Sequence, residues 1–355
     1  MFDELKYVPV LKGKQGEFMA LGFLETKLKS QIYPLIDLVP NSKKQLGKHI
    51  DKVITYFDKW GKQSPIMIDG YMLADYNLQL NNLHPVVYLL NELTHNGFKC
   101  IPVVNTSAGP EYNELIIRTS EEYGFGSGLR LLRRAFDCNL LQQDISNALS
   151  NQNPKETDLI FDLRSLIDLN INDLSEYSMR SLEDVIFRYN WRNVILAGGS
   201  FPTDLAALAP DQVHVISRLH WKLWQALLEK GVSKIPHYSD YAISHPVFTE
   251  YDDKGMNASA SIRYTYNDDY YIYRGRGTRQ HTYKQFFAIA ESLLNSSQYY
   301  GAGHCLGDEF IRKCATDKKK TGNLTTWRWV GTLHHLTVVA DQLEELKRDF
   351  NAART

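Results

Sequence analysis

The 355-residue sequence predicts an α/β protein, a (β/α)8 TIM-like barrel with a C-terminal α+β extension. Three observations carry that reading. Eight short apolar runs recur along the first two thirds of the chain, separated by segments long enough for the crossover helices that parallel strands require. The glycine-rich phosphate turn that marks a doubly wound open sheet is missing after the first run, where Gly13 and Gly16 do not make GxGxxG. After Pro246 the chain turns to tyrosine-rich β runs and helices without further alternation. The expected division is a barrel over residues 1–246 and an extension over 247–355 packed on it.

In order, the expected strands are Tyr7–Lys12, Ile32–Val39, Pro65–Asp69, Lys99–Val104, Leu129–Arg133, Leu159–Leu163, Asn193–Ala197 and Lys234–Tyr238. Helical spacing of apolar residues predicts helices over Gly16–Leu28, Ser42–Lys59 and Val213–Lys230. Pro9, Pro34, Pro102 and Pro236 sit inside four of these runs and count against central strands, because proline cannot donate to the ladder. In the extension, Asp252–Asn257 reads as a turn and Ile262–Tyr266 with Tyr270–Tyr273 as a hairpin around Asn267-Asp268-Asp269. Arg274–Arg279 reads as a glycine-interrupted basic loop, followed by a helix over Tyr283–Leu294 and a last helix around His334–Asp349.

A net charge of −1 gives no global pull toward nucleic acid or a membrane surface, so any anion site must come from local clustering of Lys and Arg. Four cysteines are too few and too scattered for a disulfide scaffold, no leader precedes Tyr7, and no apolar run approaches the roughly 20 residues of a spanning helix. A reduced, cytoplasmic protein is expected.

YVPVLKGKQGEFMAL at Tyr7–Leu21, YPLIDLVP at Tyr33–Pro40, YSDYAISHP at Tyr238–Pro246, YIYRG at Tyr271–Gly275, GHCLGDEFI at Gly303–Ile311 and WRWVGTLHHL at Trp327–Leu336 resemble, in this order, the Beta family of proteins, named for a satellite-phage Beta protein. The resemblance implies phage biology or anti-phage defence beside a toxic or regulatory partner. It implies no chemistry, which has to come from the residues.

In a parallel barrel, functional groups gather at the C-terminal strand ends. Those ends supply Lys12, Asp37, Asp69, Asn105, Arg133, Asp162 with Arg164, Ser200 and Asp240, although Asp37, Asp69 and Ser200 serve equally as helix N-caps. Lys12, Lys14 and Glu17 lie on the first strand-to-helix turn, where ammonium groups and backbone N–H groups suit a phosphate. Arg263, Arg274 and Arg276 are the sharpest basic feature, with Tyr264 and its neighbouring tyrosines available to stack on a base. His304 with Asp308, and His334 with His335, have acid-base chemistry. Without CxxC or HExxH, no zinc site is expected from these histidines and the nearby cysteines.

The sequence therefore predicts a barrel mouth that binds a phosphate-bearing ligand, a nucleotide or nucleic-acid end, and that would hydrolyse it as a phosphodiesterase or nuclease if it is an enzyme. Asp162, Asp240 and Asp308, with His304, are the expected catalytic groups, with a divalent metal as a cofactor option. Arg133, Arg263, Arg274, Arg276, Lys12, Lys14, Glu17, Tyr264, Trp327, His334 and His335 are the expected ligand contacts. The alternative is a non-catalytic barrel that binds a toxin or effector encoded beside it.

Overall fold

A computed structural model describes residues 4–40, 46–62, 64–76, 79–133, 135–248 and 258–352. The expected turn at Asp252–Asn257 lies outside them. The barrel strands are β1 (Tyr7–Leu11), β2 (Leu35–Asp37), β3 (Ile66–Asp69), β4 (Cys100–Asn105), β5 (Ser127–Leu132), β6 (Thr157–Ser165) and β7 (Asn193–Gly199). β8 (Gln212–Ser217) leaves the barrel, and β9 (His237–Asp240) returns to it between β7 and β1. The eight barrel strands are all parallel and closed, with Val8 of β1 facing Ser239 of β9.

Period-2 alternation divides each strand between two cores. Val8, Val10, Leu35, Met67, Val103, Ile160 and Ile195 fill the barrel. Residues one position away, such as Tyr7, Leu11, Ile36, Ile68, Leu129, Leu131 and Phe161, join the larger core under the helices. Helix Leu46–Trp60 shows how that outer layer forms, burying Leu46, Ile50, Val53 and Phe57 at helical spacing.

The prolines fall where the ladder is thin. β1 and β2 pair only at Val10↔Leu35 and Leu11↔Ile36, plus an isolated bridge Tyr7↔Ile32, and Pro9 and Pro34 occupy the gap. Pro236 precedes β9, whereas Pro102 sits within β4 opposite Ile68.

The extension is built on β10 (Ser259–Tyr266) and β11 (Asp269–Gly277), the expected hairpin, which forms a three-stranded antiparallel sheet in the order β10-β11-β8. The helix expected over Val213–Lys230 is thus a strand followed by a helix, Leu219–Glu229. Val213, Val215 and Ile216 are β-branched, and β11 offers them a full row of backbone partners, so pairing prevails over the 3.6 period. This sheet takes one of its strands from within residues 1–246. Arg274 and Arg276 belong to β11 rather than to a loop, and the short helix Thr278–His281 follows them.

Helix Leu324–Ala352 is longer than the last helix expected around His334–Asp349 and begins before it, with Trp329 to Ala340 all buried. It packs on helix Gln15–Phe23, on β10 and on helix Leu306–Asp317, so it holds barrel and extension together. Among the described residues, no helix is long and apolar enough to cross a membrane.

Candidate functional site

Four clusters of charged groups bear on the expected site residues, and the fourth surrounds a cavity. The first plugs the barrel at the C-terminal end of its strands. Arg130 of β5 is fully buried, and its guanidinium donates to Asp37 at 2.5 Å, Asp69 at 2.8 Å, Asp162 at 2.8 Å and the Tyr241 hydroxyl at 2.8 Å. Lys12 donates to Asp37 at 3.1 Å and to the Pro246 carbonyl at 2.6 Å. Burial alone would push the Asp37 carboxyl up, but Arg130 and Lys12 hold it below its ordinary value. Asp69, where burial dominates, is pushed up. Three carboxylates around two cations leave little unpaired charge.

The second cluster lies outside the barrel wall. Asp240 alternates with inward-facing neighbours, so its carboxylate points at the helices. There it accepts hydrogen bonds from Tyr7 at 2.6 Å, Tyr238 at 3.0 Å, the backbone N–H of Ala242 at 2.9 Å and His335 Nε2 at 2.9 Å. Burial drives His335 down to about 4 despite the opposing pull of Asp240.

In the third cluster, belonging to the extension, Asp308 Oδ2 meets His304 Nδ1 at 3.0 Å, His334 Nδ1 at 2.9 Å and Cys305 Sγ at 3.1 Å, while Tyr264 donates to Oδ1 at 2.7 Å. Burial opposes a charged imidazole here, yet Asp308 raises His304 to about 11 and His334 to about 9.

The fourth cluster surrounds a cavity of about 770 Å³ between the barrel mouth and the extension. The barrel contributes Lys12, Lys14, Glu17 and the Phe201–Ala206 and Ile243–His245 loops, and the extension contributes Ser261, Arg263, Arg274, Trp327 and Arg328. Ser261 pairs with Arg274 across the hairpin and Arg263 with Ile272, which sets both arginines on one face of the sheet. The first turns of helices Gln15–Phe23 and Leu324–Ala352 both line this cavity, so two positive helix ends face it. Gly16 permits that convergence: a Cβ there would stand 2.7 Å from Arg328 Cγ and 3.0 Å from the Thr325 carbonyl.

Cations outnumber anions in this cavity. Among the described residues, Lys12, Lys14, Arg263, Arg274 and Arg328 face Glu17 and Asp204 as the carboxylates of the lining. The Lys14 ammonium is held below its ordinary value, first by burial; Glu17 opposes this, and Arg328, Lys12 and Arg263 add to it. Several arginine atoms are already anchored: Arg263 donates to the Ile243 carbonyl at 2.8 Å and lies over the Phe201 ring, and Arg328 donates to Ser244 Oγ at 2.8 Å. Arg274 donates to the Gly275 carbonyl at 3.2 Å, and its buried Nε has no hydrogen-bond partner among the described residues. An anion of phosphate type is the ligand this arrangement fits.

Of the expected site residues, the structure brings together Lys12, Lys14, Glu17, Arg263, Arg274 and Trp327. Arg133 is elsewhere, donating to the Leu163 and Ser165 carbonyls and stacked on Phe136. Arg276 points to the surface and pairs with Asp211. Asp162, Asp240 and Asp308 were expected to converge and do not, because alternation sends Asp162 into the barrel and Asp240 out of it, while Asp308 belongs to another sheet's core. Tyr264, His304, His334 and His335 lie in the second and third clusters. Tyr264, Tyr270 and Tyr273 are buried with their hydroxyls bonded to Asp308, the Ala242 carbonyl and Ser296, so they offer no stacking platform in the cavity.

Two important arginines escape the sequence reading. Arg130 sits two positions after Gly128 on the inward side of β5, and the signal was a charge amid an otherwise apolar run. Arg328 lies between Trp327 and Trp329, where the helix reads as core.

A model of the family described as Beta protein matches residues 7–341. Protein beta of Enterobacteria phage P4 is 22% identical over 379 residues, covering 99% of this chain and 97% of that protein. Among solved structures, the type I 3-dehydroquinate dehydratase of Clostridium difficile aligns with a TM-score of 0.42 at 8% identity, over 68% of this chain and 87% of that one. The YdjI aldolase of Escherichia coli K12 aligns with a TM-score of 0.37 at 9% identity, over 89% of each.

Proposed function

The chain belongs to the Beta protein family, and from that premise we propose that its barrel mouth binds a phosphate-bearing ligand, a nucleotide or nucleic-acid end. One observation carries the reading: a cavity of about 770 Å³ lined, among the described residues, by five Lys and Arg side chains against two carboxylates. Relatedness to a phage P4 protein supports a setting in phage biology, and we extend the proposal to anti-phage defence. The proposal is for binding. Asp162, Asp240 and Asp308 lie in other clusters, so hydrolysis would have to draw on other groups of the lining, such as Glu17, Asp204, His49 or His245.

The test is ligand-dependent thermal stability. A ligand held at 100 times its Kd stabilises the fold by about 2.7 kcal/mol. Nucleoside triphosphates, short 5′-phosphorylated oligonucleotides and inorganic pyrophosphate should each raise the melting temperature, and the uncharged nucleoside should not. If no phosphate compound shifts melting at millimolar concentration, the reading fails.

A second reading has its own observation. β8 is an edge strand of the extension sheet, with Val213 46% and Val215 56% exposed. An unpaired edge with exposed valines suits strand addition by another protein, such as a neighbouring toxin or effector. Val215→Lys would weaken capture of that partner and leave phosphate binding unchanged.

A further inference from the structure

We propose that His304, Cys305, Asp308 and His334 form a closed site for a divalent transition metal, best matched to Zn²⁺. This site is separate from the anion cavity and does not depend on the proposal made for it. His304 Nδ1 or Nε2, Cys305 Sγ, a carboxylate oxygen of Asp308 and a ring nitrogen of His334 can all lie within 4.8 Å of one another. In a tetrahedral site with bonds of about 2.0–2.3 Å, ligand atoms stand roughly 3.3–3.8 Å apart. The contacts of 2.9–3.1 Å to Asp308 Oδ2 therefore need to open by only about half an ångström.

The outer contacts orient the rings as ligands. His334 Nε2 donates to the Thr265 carbonyl at 2.8 Å, and its Nδ1, 2.9 Å from Asp308 Oδ2, is the atom that turns a lone pair to the ion once its proton is displaced. His304 Nε2 likewise donates to Asp341 Oδ2 at 3.3 Å, and its Nδ1 faces Asp308 Oδ2 at 3.0 Å. A carbonyl or carboxylate behind each imidazole is the usual support of a metal-bound histidine. Tyr264 occupies Asp308 Oδ1 and leaves Oδ2 for the ion.

Two imidazoles, a thiolate and a carboxylate make a borderline-soft N2SO set, which suits Zn²⁺ above Mg²⁺ or Ca²⁺. Binding displaces the Nδ1 protons of both imidazoles together with the thiol proton, and the thiolate and carboxylate then balance the two positive charges inside a largely buried site. Four protein ligands leave no open position, so the metal is structural. It would staple the start of helix Leu306–Asp317 to the middle of helix Leu324–Ala352, the helix that carries Trp327 and Arg328. Gly307 makes room for this crossing, since a Cβ there would stand 2.7 Å from the Val330 carbonyl.

The experiment uses the full chain, purified without chelators or a metal-affinity step and desalted, with metal read by elemental mass spectrometry. About one Zn²⁺ per chain is expected. Cys305→Ser and His334→Asn should each lower retention by roughly tenfold or more, and Cys138→Ser should not. Because either ligand variant could fail to fold, the wild-type chain is also loaded with Co²⁺. A thiolate-to-cobalt charge-transfer band in the near ultraviolet supports the site. Folded wild-type protein that keeps no Zn²⁺ after loading and desalting, or that shows no such band with Co²⁺, overturns it and leaves a hydrogen-bonded charge cluster.

Discussion

The plug inside the barrel and the cavity above it use the same kinds of charged side chain, and Lys12 touches both. In the plug, Arg130 and Lys12 meet Asp37, Asp69 and Asp162 at hydrogen-bond distance, and the charges nearly cancel. In the cavity, five cations meet two carboxylates, and Lys14 has three other cations for neighbours. Residue type does not separate structure from function here; the number of opposite charges within reach does. A matched cluster stabilises the fold, whereas an unmatched one attracts a ligand.

The largest expected effect breaks the plug. Arg130→Met removes one partner of a fully buried network and leaves Asp37, Asp69 and Asp162 with Lys12 as the remaining cation of the plug, at a cost of about 3–5 kcal/mol. Urea unfolding would read this, and a loss below about 1 kcal/mol would contradict the structural role of the network. In the cavity the balance reverses. Arg274→Ala removes charge-assisted hydrogen bonds of about 1.5–3 kcal/mol from the ligand, roughly a ten- to hundred-fold loss in Kd, with melting near wild type.

Lys14 sharpens the contrast through pH. Its ammonium is depressed by burial and by three cations, so it loses its proton at lower pH than an ordinary lysine. Anion affinity should be full at neutral pH and fall as pH rises through that depressed value, short of the ordinary value of 10.5. Lys14→Arg should keep its affinity there, and identical pH profiles would remove Lys14 from the site. The smallest effect belongs to Arg276→Ala. Its surface pair with Asp211 contributes about 0–1 kcal/mol, and neither phosphate affinity nor melting should move appreciably.

The barrel was legible because eight apolar runs with crossover-length spacers admit few other arrangements. β8 was not, since Val215, Leu219, Leu223 and Leu227 fall at helical spacing across the junction between a strand and the helix after it. Lys12, Lys14, Arg263 and Arg274 were legible as basic residues at a strand end and on a hairpin. Choosing Arg133 over Arg130 came from weighting the strand's end above its alternation: Leu129 and Leu131 face the helices, so Arg130 faces the barrel. His334 and His335 look like one pair in sequence. On a helix, successive residues diverge by about 100°, so His334 turns to Asp308 and His335 to Asp240. The grouping of His304, Cys305 and Asp308 with His334 depends on two helices crossing, which no local spacing announces.

The central claim is that the surplus of positive charge in the cavity binds a phosphate-bearing ligand. Calorimetric titration of the wild-type chain with inorganic pyrophosphate, at low and at physiological salt, tests it most directly. Saturable binding that weakens as salt rises, and that Arg274→Ala reduces at least tenfold, is the expected result. Absence of binding at low salt, or binding of equal strength in wild type and Arg274→Ala, would contradict it.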